Sequence, residues 1–214
     1  MPDDSFFLKD RMSALLELNS LVKRFQSFTA VNGISLEVPA GEVLGFLGPN
    51  GAGKSTTMKM AAGFLTPDSG SAHICGVDVA EQPELARQNL GYLPEGAPAY
   101  GEMSVAAFLK FCARLRDLSG AEARDANAKA VERTELGGVL EQPIETMSKG
   151  FKRRVGLAQA ILHEPKVLIL DEPTDGLDPN QKHHVRQLIR DMSADRAIVI
   201  STHILEEVDA VCSR

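Results

Sequence analysis

Val43-Leu44-Gly45-Phe46-Leu47-Gly48-Pro49-Asn50-Gly51-Ala52-Gly53-Lys54-Ser55-Thr56 is the stretch on which the reading of the whole chain turns. It begins as a short apolar run, bends through a glycine-rich turn, and leads into a helix expected from about Lys54 to Ala62, closed by Gly63. Gly48–Ser55 fits the pattern G-x-x-x-x-G-K-[ST] in full. The glycines let the backbone curl so that successive N–H groups face one anion. The helix that follows adds the positive end of its dipole to the same place. Lys54 brings a compact cation to the β and γ oxygens of a nucleoside triphosphate, and Ser55 offers a hydroxyl to Mg²⁺. A strand before the loop and a helix after it are the setting this pattern demands.

Further along, Val167-Leu168-Ile169-Leu170 and Ala197-Ile198-Val199-Ile200 are continuous apolar runs, as expected of central parallel strands covered on both faces. The first delivers Asp171-Glu172 at its C-terminal end. Beside a phosphate loop, Asp171 can hold Mg²⁺ through water, and Glu172 is suited to polarise an attacking water as a general base. Without that loop, the same pair reads as a solvated acidic turn before Pro173.

Leu15–Leu21, Ile34–Val38 and Asn89–Leu93 are further strand candidates, and Pro179 to about Met192 is a helix with proline in its first turn. From Gly96 to about Thr146 the composition shifts to Ala, Arg, Glu and Leu. Val105–Leu115 and Ala121–Leu136 read there as helices capped by Ser104 and Ser119. The expected fold is α/β, with a helical subdomain inserted over residues 96–147.

Composition narrows the function. The 214 residues suffice for one sizeable α/β domain with a helical annex, and 43 % hydrophobic with 24 % charged residues is ordinary for a globular core. A formal net charge of −6 lacks the basic face of a nucleic-acid binder, so no nucleic-acid partner is expected. Cys75, Cys112 and Cys212 are scattered without metal-ligand spacing and read as small core hydrophobes in a reducing setting. No run approaches the roughly 20 apolar residues of a membrane-spanning helix. Residues 1–11 lack a signal-peptide pattern and read as a disordered extension, with Met12 as an alternative start.

Taken together, these motifs resemble the ATP-binding domain of an ABC (ATP-binding cassette) transporter, from about Ala14 to the C-terminus. Besides Gly48–Thr56 and Leu168–Pro173, the chain carries a signature-like Met147-Ser148-Lys149-Gly150-Phe151-Lys152-Arg153-Arg154. A D-loop-like Gly176-Leu177-Asp178-Pro179 and a switch-histidine segment, Ser201-Thr202-His203, follow. The resemblance implies a P-loop NTPase over residues 12–214, with a mixed sheet core made of an N-terminal antiparallel β part and a parallel RecA-like part. It implies ATP and Mg²⁺ as ligands. Nucleotide contacts would come from Gly48, Pro49, Asn50, Gly51, Ala52, Gly53, Lys54, Ser55 and Thr56.

Ser55, Asp171 and Glu95 would hold the metal, and Glu172, His203 and Glu95 would serve hydrolysis. Ser148 starts a helix whose apolar positions Phe151, Val155, Ala158 and Ile161/Leu162 follow helical spacing, so its N–H groups and hydroxyl can meet an anion. By the resemblance that anion is the γ-phosphate held by a second ATP-binding subunit, identical or paralogous, with Gly150 and Asp178 at the same junction. Phe25 stands where the family has its adenine-stacking ring, and is either that ring or core. The neighbouring His183 and His184 read as a solvated helix face.

Two departures from the family pattern matter. Glu95 stands where glutamine is usual, and Lys149 with Phe151-Lys152 replaces the commoner signature tail. Both resemble the subgroup serving ABC-2-type exporters, such as gliding-motility-like and drug- or polysaccharide-export systems. The expectation is an ATPase acting from the cytoplasm at the inner face of the membrane through a separate transmembrane permease. A soluble non-transport ABC ATPase is the alternative. Family members run on beyond the point reached at Arg214, so the resemblance also implies an early end with a bare sheet edge.

Overall fold

Apolar residues at every position of a strand require cover on both of its faces, and the central strands have it. The computed structural model describes residues 14–96 and 100–214. The expected disordered extension over residues 1–11 and the alternative start at Met12 lie outside them. Four parallel strands form one sheet in the order β3-β8-β7-β6: β3 (Val43–Leu47), β6 (Leu90–Leu93), β7 (Val167–Asp171) and β8 (Ala197–Thr202). An antiparallel sheet has the order β2-β1-β4-β5, from β1 (Leu16–Phe25), β2 (Phe28–Val38), β4 (Ser69–Ile74) and β5 (Val77–Asp78). The expected antiparallel and parallel parts are both present, as two separate sheets.

The helices are α1 (Lys54–Ala61), α2 (Pro83–Gln88), α3 (Val105–Leu115), α4 (Gly120–Arg133), α5 (Lys149–Ile161), α6 (Pro179–Ser193) and α7 (Leu205–Val211). Side-chain alternation along β7 and β8 divides the apolar residues into two cores. Leu168, Leu170, Ile198 and Ile200 pack with Leu109 of α3, Val155 and Ile161 of α5 and Ile189 of α6. Val167, Ile169, Ala197 and Val199 face the other way, onto Met58 and Met60 of α1 and Leu16, Leu18 and Ile74 of the antiparallel sheet. α1, which leads out of the phosphate loop, touches both sheets.

The stretch expected as a helical insert holds α3, α4 and two single 3₁₀ turns, Gly137–Val139 and Ile144–Thr146. The Ser104 hydroxyl caps α3 by accepting from the Ala107 N–H at 3.3 Å, whereas Ser119 sits at the N-cap of α4 without a side-chain bond. α4 stops short of the expected Leu136, and Glu135 just beyond it turns left-handed at φ 52°. His183 is exposed, and the His184 side chain is 37 % exposed while its Nε2 donates to the Arg133 carbonyl at 2.9 Å. The edge strand β3 is not wholly bare. Ser213 N–H donates to the Val43 carbonyl, and Gly45 N–H to the Arg214 carbonyl, both at 2.8 Å.

Candidate functional site

Every parallel strand ends at the same edge of its sheet, and there most of the expected site residues, though not Ser148, Gly150 and Asp178, come together. β3 releases the phosphate loop, β6 leads to Glu95, β7 ends in Asp171 before Glu172, and β8 runs out through Ser201 and Thr202 to His203. A cavity of about 390 Å³ opens at this edge. Phe25, Phe28, Asn50, Gly51, Gly53–Thr56, Glu95, Asp171 and Glu172 line it. Two larger hollows, about 910 and 720 Å³, lie against α3 and do not touch the phosphate loop. Phosphate chemistry needs the convergence of loop and carboxylates, so the smaller cavity is the candidate site.

The loop is preshaped. Gly53 is left-handed at φ 86°, and a Cβ there would lie 2.3 Å from the Ala30 carbonyl oxygen, so only glycine fits. Thr57 closes the first turn of α1, its hydroxyl donating to the Gly53 carbonyl at 2.9 Å. Lys54 is buried, and its ammonium donates to the Gly48 carbonyl at 2.6 Å and the Pro49 carbonyl at 3.1 Å. The cation is thus held across the loop that would receive phosphate.

Asp171 is 1 % exposed. The Ser201 hydroxyl donates to its Oδ1, while its buried Oδ2 has no hydrogen-bond partner among the described residues. An orphaned buried carboxylate oxygen on a residue that lines one cavity with the Ser55 hydroxyl and a second carboxylate, Glu95, fits a hard oxygen-ligated cation. The residues present therefore suit Mg²⁺.

Glu172 adopts a left-handed backbone at φ 52°, uncommon for a residue with a side chain and worth about 1–3 kcal/mol of strain. Its N–H donates to the Ser201 carbonyl at 3.1 Å, and its carboxylate accepts from His203 Nδ1 at 2.9 Å. That hydrogen bond, and the charge behind it, raise the His203 pKa above 6.5.

Three residues that motif reading did not assign shape this edge. Phe28 stands across a tight hairpin from Phe25, and both rings are largely exposed, at 60 % and 48 %. Neither is core. Arg153, on α5, is 4 % exposed and donates to the carbonyls of Glu172, Pro94 and Glu95. It shares a helical stripe with Leu157 and Ala160, a basic residue where the period calls for an apolar one. Glu207, on α7, accepts from the hydroxyls of Thr174 and Thr202 and from Lys182. Burial alone would raise its pKa, but these donors hold it below 4.5. It thereby ties the loop after Glu172 to the end of β8. One glutamate of an adjacent pair carries no local mark of this.

Ser148, Gly150 and Asp178 are not among the residues lining the cavity of their own chain. Ser148 caps α5, accepting from the Phe151 N–H at 3.3 Å, and Asp178 caps α6, accepting from the Gln181 N–H at 2.9 Å. Gly150 packs so closely on this turn that a Cβ would meet the Gly176 carbonyl oxygen at 3.1 Å. Lys149 pairs with Asp175 at 2.6 Å, a hydrogen bond that lowers the Asp175 pKa.

The comparisons agree with this geometry. Residues 31–175 match the family model described as "ABC transporter". The chain is 38 % identical over 200 residues to the ABC transporter ATP-binding protein YxlF of Bacillus subtilis (strain 168), covering 94 % of this chain and 66 % of that one. It is 37 % identical over 202 residues to the Nod factor export ATP-binding protein I of Burkholderia orbicola (strain AU 1054), with the same coverages of 94 % and 66 %. A solved ATP-binding subunit of an ABC transporter superposes with a TM-score of 0.85 at 33 % identity, covering 92 % of this chain and 83 % of that chain. The chain belongs to the ABC transporter family, as an ATP-binding domain. It spans about two thirds of the length of the two relatives, at 66 % of each.

Proposed function

We propose that this chain binds and hydrolyses ATP to power a membrane exporter, through nucleotide-driven pairing of two such domains. The observation that carries the reading is the Glu172 carboxylate. It is bonded to His203, and Glu172 lines the same cavity as the phosphate loop and Asp171. Lys54 and the N–H groups of Gly51–Thr56 bind the β- and γ-phosphates, and the Phe25 ring, with Phe28 beside it, takes the base. Ser55, Asp171 and Glu95 hold Mg²⁺, which when bound neutralises charge on the phosphate oxygens. Glu172 orients the attacking water and takes its proton, while His203 holds the carboxylate and faces the γ-phosphate.

The capped N-terminus of α5, with Ser148 and Gly150, completes the nucleotide site of a second subunit, with Asp178 alongside. Among the described residues no helix is long and apolar enough to cross a membrane. In this reading the domain passes its closure to a transmembrane permease and works at the cytoplasmic face, as the names of its relatives, ABC transporter and export ATP-binding proteins, suggest. The 720 Å³ hollow supports that docking: Phe64, Tyr100 and Leu115 stand exposed around it, and Pro94, next to Glu95, is part of its wall. Glu95 and Lys149, together with the export function in the name of one relative, favour the ABC-2-type exporter subgroup.

Glu172→Gln tests the central assignment. The variant should bind ATP as the parent does, lose at least about 100-fold in turnover, and form a dimer with ATP that persists in analytical ultracentrifugation. Equal hydrolysis rates in variant and parent would refute the assigned base.

A further inference from the structure

We propose that Arg153, which lies outside the nucleotide cavity, is the positioning residue that holds Glu95 and Glu172 in their working arrangement. The inference rests on the ATPase reading above and extends it to a residue that touches neither nucleotide nor metal. Its guanidinium spends both edges on backbone carbonyls. Nε and Nη2 donate to the Glu172 carbonyl at 2.9 and 2.6 Å, and Nη1 donates to the Pro94 and Glu95 carbonyls at 2.6 and 3.0 Å. One side chain thus fastens two loops that come from different strands, β6 and β7, and that carry the two carboxylates proposed to face Mg²⁺ and water.

Two features make this more than packing. First, the Glu172 backbone is left-handed, and such a conformation persists only where its surroundings over-determine it. Ser201 holds its N–H, and the Asp175 N–H joins Arg153 in holding its carbonyl. Second, the demand is for a planar fork. A lysine could place a positive charge among the same carboxylates, but its single ammonium cannot present two edges to two loops. Arg153 also sits on α5, the helix that Ser148 caps, so the arrangement of both acids is tied to that helix.

The test uses the full chain with Arg153→Lys, Arg153→Ala and a matched control. Arg196→Lys is that control: Arg196 is also buried and pairs with Glu164, at the opposite end of β8 from the cavity. Steady-state hydrolysis, binding of a non-hydrolysable Mg²⁺–ATP analogue and thermal unfolding are measured on each. We expect Arg153→Lys to lose about 30- to 100-fold in kcat while analogue affinity stays within about threefold, as for a small misplacement of reacting groups. Arg153→Ala should recover at least about fivefold with added methylguanidinium, because the missing fork can be returned as a free ion. Arg196→Lys should keep parental kcat even where its Tm falls.

Parental turnover in Arg153→Lys would overturn the proposal. So would a loss of turnover matched by loss of analogue binding or by unfolding, or an alanine variant that methylguanidinium does not rescue. A parent chain that does not hydrolyse ATP would remove the ATPase reading itself, and this inference with it.

Discussion

His203 and Glu172 form a pair whose protonation can be followed directly. His203 Nδ1 lies 2.9 Å from Glu172 Oε1, and the carboxylate's hydrogen bond, then its charge, raise the imidazole pKa above 6.5. A raised histidine pKa means the ion pair is complete below about 6.5 and is lost as pH rises through the folded-state value. His203 is half exposed, so water screens the pair, and the effect is on proton occupancy rather than on stability. A ¹H–¹⁵N NMR titration should place the His203 midpoint above 6.5, and Glu172→Gln should bring it back towards 6.5. An unchanged midpoint in the variant would mean that Glu172 is not the cause. The motif order was enough to name both residues, but their contact spans 31 positions and had to be seen in space.

Gly91 shows how one strand sets the spacing of a whole element. A Cβ at Gly91 in β6 would lie 2.2 Å from the Ala160 carbonyl oxygen of α5 and 2.5 Å from a Leu168 methyl of β7. The obstacle is helix backbone, which cannot step aside as a flexible side chain can. Gly91→Ala should therefore push α5 off the sheet and cost about 1–3 kcal/mol, the usual range for overpacking. In a chain of this length that lowers Tm by about 2–12 °C, measurable by calorimetry, and a parental Tm would contradict the close approach.

α3 was legible to the residue, because Ser104 caps an amphipathic run. β4, β5, α2 and α7 were not. Ser69–Ile74 buries only Ala72 and Ile74 fully, and its strand character comes from pairing with β1. β1 and β2 likewise run further than their apolar residues do, meeting in a hairpin at Phe25 and Phe28, where the rings are exposed. Periodicity cannot report a strand whose side chains mostly face solvent.

For the molecule as a whole, the decisive feature is the common edge at which the parallel strands end. The hairpin of the antiparallel sheet, the phosphate loop and the ends of β6 and β7 line one cavity there, so nucleotide bound in it would stabilise the folded chain. At a ligand concentration 100 times Kd the gain is about 2.7 kcal/mol, or about 5–11 °C in Tm. ATP with Mg²⁺ should raise Tm more than ATP with EDTA, and Asp171→Asn should remove much of that difference. Equal shifts with and without Mg²⁺ would count against the assigned metal ligands.

The candidate chemistry was legible locally in the phosphate loop and the acid pair, short patterns with a backbone or charge requirement, whereas His203 was reached only through the resemblance. The sequence by itself also determined the α/β class, since runs apolar at every position need two covered faces. What the tertiary structure alone decided is the support around that chemistry. Arg153 and Glu207 are buried charges that bridge segments distant along the chain, and Phe28 is placed by a hairpin. The two charges act through long-range contacts, which no local period encodes, and Phe28 through a turn that sets its exposed ring beside Phe25.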